Sequence, residues 1–146
     1  MTETSQPGPQ LTGDGQSLLS STAITATTNG TVEAIFPGSI SGIAFTCDVT
    51  SAGSSSGDLL DMYIQTKIDD TNWLDAVHFA QVAGDSTGIR MMDKIHANGA
   101  VTAFASSDAL GAGAQRDVLG SRWRARAVIT SSTDPTFAAS VFAQPM

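Results

Sequence analysis

The stretch Leu60-Asp61-Met62-Tyr63-Ile64-Gln65-Thr66-Lys67-Ile68, with Asp69-Asp70-Thr71-Asn72 and Trp73 behind it, decides the fold. Successive side chains of a β-strand point to opposite faces, so apolar residues two apart line a single face. Leu60, Met62, Ile64, Thr66 and Ile68 take one side, and Asp61, Tyr63, Gln65 and Lys67 take the other. Four turn-forming residues then reverse the chain, because Asp and Asn side chains accept hydrogen bonds from backbone amides a few positions on. Trp73 opens a returning strand continued by Val77 and Phe79, with Val82 at its end. The pattern predicts a β-hairpin.

The same period of two extends outward in both directions. Upstream, Ile40 to Thr50 sets Ile43, Phe45, Cys47 and Val49 on one face. Before it, Ala23 to Thr28 and Thr31 to Phe36 read as strands joined at Asn29-Gly30, a tight-turn dipeptide, and Pro37-Gly38 closes the second. Ser51 to Gly57 reads as an exposed Ser/Gly loop. Downstream, Ile89 to Ala97 alternates imperfectly and ends at Asn98-Gly99; Val101, Ala103 and Ala105 alternate next, with Phe104 opposite. Ser106 to Asp117 is a small-residue loop whose Gly111 and Gly113 oppose a helical turn. The last two strands set Trp123, Ala125, Ala127 and Ile129, then Phe137, Ala139 and Val141, on inward faces. Short strands punctuated by turn signals about every ten residues indicate an all-β, antiparallel β-sandwich of jelly-roll or immunoglobulin-like type. Its span is 17–146, preceded by an extended arm over 1–16, where Pro7-Gly8-Pro9 fixes extended geometry and Leu11 is the only sizeable apolar side chain.

Charge and composition narrow the function. The 146 residues carry 7 Lys and Arg against 14 Asp and Glu, a net charge of −7. Neutralising phosphates takes clustered basic residues, so nucleic acid is not the expected partner. An acidic surface repels anionic lipid, and no apolar run approaches the roughly 20 residues a bilayer span needs. Cys47 is the single cysteine, which excludes an internal disulfide and a thiolate metal cluster; flanked by Ile43, Phe45 and Val49 on its face, it reads as a buried, inert thiol. The opening residues lack a basic region followed by an apolar one, so the expected site of synthesis is a reducing cytoplasm.

Chemistry-bearing residues are few. His78 and His96 are the only histidines, in no catalytic or metal-binding spacing, and His78 is expected to be exposed on the face opposite the core. Glycoside hydrolysis would need two cleft carboxylates, for which Asp61 and Asp75 are the nominal candidates. The oxygen-rich Asp69 to Asn72 lacks the spacing of a calcium loop and is accounted for by its turn. No cofactor, metal site or enzymatic activity is expected. The sharpest feature is Arg122, Arg124 and Arg126, whose spacing of two puts three guanidinium groups on one sheet face and Trp123 on the other. Two readings stand side by side: a ladder with acids of the neighbouring strands, or a docking stripe for acidic residues of another subunit. Trp73, next to a turn, is a candidate contact residue at the end of the sandwich; exposed there, it would suit sugar stacking in a carbohydrate- or receptor-binding module.

Asp61 to Asp75, His78-Phe79-Ala80-Gln81-Val82 and the pair Arg122 to Arg126 with Phe137 to Val141 together resemble small virion proteins of tailed bacteriophages. In those proteins a strand of the form "x-V-x-(L/I)-Q-x-S-x-D" leads through a "D-G-x-x-W" turn into a strand ending "H-F-x-Q-V", and an "R-x-(V/L)-R-(V/A)" hairpin closes the domain. The resemblance covers residues 59–83 and 120–143, and departs from the pattern at Asp70-Thr71-Asn72, where Gly is usual. It implies a capsid decoration (cement) protein on the virion exterior, commonly a homotrimer at local three-fold points. Its partners would be the major capsid protein and neighbouring copies of itself. On that reading Pro7, Pro9 and Leu11 of the arm, the three arginines and Trp73 carry the contacts.

Overall fold

The computed structural model describes residues 15–36, 40–52, 55–86, 88–96, 103–105, 109–131 and 135–146. The arm residues Pro7, Pro9 and Leu11, and the turns at Pro37-Gly38 and Asn98-Gly99, lie outside them. Ten strands are described: β1 Gln16–Ile24, β2 Thr28–Asn29, β3 Gly42–Ala52, β4 Leu59–Lys67, β5 Trp73–His78, β6 Val82–Ala83, β7 Ile89–His96, β8 Ala114–Gln115, β9 Trp123–Thr130 and β10 Phe137–Pro145. They form two antiparallel sheets, ordered β1-β10-β3-β7 and β2-β9-β4-β5-β8, with β6 paired to β4. The predicted all-β sandwich is what the chain forms.

The pairings are nested. β4 pairs β5, β3 pairs β7, β2 pairs β9 and β1 pairs β10. A long two-stranded ribbon of this kind, rolled so that alternate pairs fall in opposite sheets, is a jelly roll. Two sequence expectations fail for this reason. β9 and β10 are consecutive but do not close a hairpin: β9 lies between β2 and β4, and β10 between β1 and β3. Asn29-Gly30 is likewise no hairpin turn. Asn29 pairs with Arg126, the Gly30 N–H donates to the Ala125 carbonyl at 2.8 Å, and Ala34 bridges Trp123. Glycine stands at 30 because a Cβ there would lie 2.3 Å from the Leu18 carbonyl oxygen. β1 also starts inside the expected arm, at Gln16, and ends at Ile24, where a strand was expected to begin. Residues 103–105 form no strand. The expected loop at Ser51 is partly strand, since β3 runs to Ala52.

Inward residues of both sheets make the core. Ile43, Phe45, Cys47 and Val49 from β3 are buried against Leu60, Met62 and Ile64 from β4 and Trp123, Ala125 and Ala127 from β9. Phe45 and Trp123 pack across the sheets with ring centroids 5.3 Å apart, tilted by 46°. Fully burying side chains of this size contributes about 1.5–3 kcal/mol each. Because the inward positions are fixed by this packing, every second residue of β4 and β9 is forced onto the outer face of the larger sheet, and on β5 a register shift interrupts the alternation.

Candidate functional site: the outer face of the six-stranded sheet

On β9 the inward Trp123, Ala125 and Ala127 send Arg122, Arg124 and Arg126 outward, as the spacing of two predicts. Register places Arg124 beside Gln65 and Arg126 beside Tyr63 on β4, with Trp73 and Asp75 of β5 beside Lys67 and Gln65. A connected face results. Arg124 Nε donates to Gln65 Oε1 at 2.8 Å, and Gln65 Nε2 donates to Asp75 Oδ1 at 2.8 Å. The Arg124 guanidinium lies 4.2 Å from the Trp73 ring centroid and the Lys67 ammonium 5.2 Å from it. Arg126 Nη1 donates to Asn29 Oδ1 at 3.2 Å, and Arg122 Nη1 reaches Glu33 Oε1 at 3.3 Å.

The partners are of two kinds. Arg122 has a carboxylate. Arg124 and Arg126 meet neutral amide oxygens, and neither forms an ion pair among the described residues. Partial burial and then the neighbouring Arg126 pull Arg124 below the usual arginine range, with Glu33 and Asp75 opposing; a guanidinium stays charged through such a shift. The stripe is therefore neither a plain acid–base ladder nor a row of free side chains. It is a set of arginines oriented by their own sheet, two of them with charge uncompensated at contact distance. Trp73 is half-buried and already faces two cations, so its ring is less available for sugar than the sequence suggests.

Comparison with protein families, with curated proteins and with solved structures returns no match for this chain.

Further along the same face, the structure corrects the reading of His78. It points away from the sandwich core, as expected, but is 6% exposed, because the connection through Leu110 folds over it. A β-bulge between Ile64 and Gln65 in the β4–β5 register brings His78 opposite Tyr63. The two rings stack with centroids 4.0 Å apart. His78 Nε2 lies 2.8 Å from Asp61 Oδ1 and Nδ1 lies 2.7 Å from the Leu110 carbonyl oxygen. Gln81 Nε2 donates to Asp61 Oδ2 at 2.8 Å. Both ring nitrogens are engaged, so neither is free to take a proton from a substrate in this arrangement. Both nominal carboxylates of a hydrolase are engaged as well, Asp61 by His78 and Gln81 and Asp75 by Gln65. The signal sequence reading missed was Leu110, the one large apolar residue between Ser106 and Asp117, which must be buried somewhere. His96 is exposed, as expected of a strand end.

The Asp69 turn and the Cys47 thiol behave as the sequence predicts. Asp69 caps its own turn, its carboxylate accepting from the backbone N–H groups of Thr71 at 2.8 Å and Asn72 at 2.7 Å and from the Asn72 side chain at 3.0 Å. These bonds hold its carboxyl at about 2. Burial, then the nearby Asp48, push the Cys47 thiol up to about 12, so it is inert. No group of three or more metal-ligating side chains occurs among the described residues. No helix in them is long and apolar enough to cross a membrane.

Proposed function

We propose that this chain is a structural assembly subunit, a capsid decoration protein of a tailed-bacteriophage virion. It seats as a trimer on the outside of the major capsid protein shell and docks through the outer face of its six-stranded sheet. The observation that carries the reading is the state of Arg124 and Arg126. On a chain of net charge −7, these two guanidinium groups are held in place by Gln65, Trp73 and Asn29 rather than neutralised by acids. Arginine so placed presents a planar fork to a carboxylate and loses little further side-chain freedom on binding it. The resemblance of residues 59–83 and 120–143 to decoration proteins supports the same reading, and the jelly roll is compatible with it without implying it.

The test is sedimentation of the protein with empty shells assembled from the cognate major capsid protein. Replacing Arg124 and Arg126 by Ser should weaken binding roughly ten- to a hundredfold at low salt, and wild-type affinity should itself fall as salt rises. A folded double variant that binds as tightly as wild type would remove this face from the interface. Deleting residues 1–14, which leaves β1 whole, tests the arm in the same assay: full binding by the truncated protein would exclude a role for Pro7, Pro9 and Leu11.

A further inference from the structure

His78 joins three elements. It sits on β5, its Nε2 faces the carboxylate of Asp61 on β4, and its Nδ1 faces the carbonyl of Leu110 in the connection leading to β8. Both partners are hydrogen-bond acceptors. A neutral imidazole carries one N–H, so it can satisfy only one of them; the other nitrogen would turn a lone pair toward oxygen at 2.7 or 2.8 Å. Gln81 donates to the far oxygen of Asp61 at 2.8 Å, so both carboxyl oxygens are placed as acceptors. The arrangement calls for an imidazolium with a proton on each nitrogen.

We propose that His78 is a proton-operated latch that holds the Leu110 connection against the sheet and opens when the ring loses one proton. The remaining N–H stays on Nε2, where the Asp61 charge retains it, and the proton lost to solvent is the one on Nδ1. Leu110 then loses its donor. Two backbone bonds dock the same connection, Gly113 N–H to the His78 carbonyl at 2.7 Å and Arg116 N–H to the Ala76 carbonyl at 2.8 Å. Beneath it lies a cleft of about 300 Å3 between β5 and β7, lined by Val77, Phe79, Met91 and Asp93. The ionisable groups around the ring are Asp61 and Tyr63 from β4, with Asp75 on its own strand and Arg126 of β9 beside Tyr63; Asp93 of β7 lines the adjoining cleft. The latch is closed on the acid side and opens as pH rises.

The experiment uses the full chain. Ring 15N spectra across pH count the protons on His78, and hydrogen exchange follows Gly113 and Arg116 against Phe79, whose N–H bonds the Met62 carbonyl on β4. Referring each rate to Phe79 removes the intrinsic pH dependence of exchange. The ring should hold two protons in the closed form, and protection of Gly113 and Arg116 relative to Phe79 should fall roughly tenfold over the interval in which one is lost, the scale of one buried hydrogen bond. In His78→Gln the ratio should not change over that interval. A ring holding one proton at the acid end, a ratio constant through the proton loss, or a pH-dependent ratio surviving in His78→Gln would each overturn the latch. If the variant does not fold, the wild-type measurements decide alone.

Discussion

Replacing Arg124 by Ala tests whether the outer face is built as a unit. Gln65 is 9% exposed and its Oε1 takes a charged donor from Arg124 at 2.8 Å. Losing that donor leaves a largely buried amide oxygen unpaired, a cost of about 1–2 kcal/mol. The guanidinium 4.2 Å from the Trp73 centroid adds a cation–π contact of about 0.5–1 kcal/mol at a half-exposed site. Together these come to about 2 kcal/mol. With unfolding entropy near 2.1 cal/mol/K per residue, about 0.3 kcal/mol/K for the 146 residues, that is a loss of about 6 °C in Tm. Urea denaturation followed by the fluorescence of buried Trp123 measures it directly, and a double-mutant cycle with Trp73→Ala isolates the contact. The expected coupling is about 0.5–1 kcal/mol. A coupling indistinguishable from zero, or an Arg124→Ala cost below about 0.5 kcal/mol, the size of an ordinary surface change, would mean that Arg124 is not held by its sheet, and the preorganised docking face would fall with it.

Gly30→Ala should destabilise by about 2–4 kcal/mol, because the new methyl would meet the Leu18 backbone carbonyl and not a movable side chain; a neutral result in the same denaturation assay would restore the hairpin-turn explanation of this glycine. Asp69 should titrate near pH 2 by carboxyl NMR. Its folded value is depressed, so the support it gives its turn is present above the ordinary Asp value and is lost as pH falls toward 2. In Asp69→Ala the turn residues Thr71 and Asn72 should lose amide protection, and unchanged protection would show that the cap does not order the turn.

The sheet class was legible because burial imposes a strict period of two, and β3, β4, β9 and β10 keep it with few interruptions. Ile43, Phe45, Cys47, Val49, Trp123 and Phe137 were all placed inward correctly. Pairing was legible only for β4 and β5, where the turn is short and local. The partners of β9 and β10 depend on where distant strands lie, and nothing in Arg122 to Val141 encodes that. Gly30 shows the limit sharply, since a turn dipeptide and a close backbone approach ask for the same residue. The arginine face was readable to the level of direction, yet its partners Gln65 and Asn29 were not, as both come from other strands. His78 failed for a related reason. Periodicity states which face a side chain takes, while its burial depends on what crosses that face, here a loop of small residues with one leucine.

The nested pairing also bears on how the chain reaches its fold. Only β4–β5 closes a short loop; β3–β7, β2–β9 and β1–β10 join segments progressively farther apart, ending with Gln16 opposite Ala143. Closing a loop costs entropy that grows with the logarithm of its length, so forming the outer pair first is the most expensive route. Once the inner pair stands, each further pair extends an existing ribbon and closes only a modest additional loop. The kinetics should therefore be slow for a chain of this size, in the millisecond-to-second range typical of non-local β topologies. Protection should spread from the Asp69 turn outward, and pulse-labelled refolding that found the β1–β10 amides protected first would contradict that order.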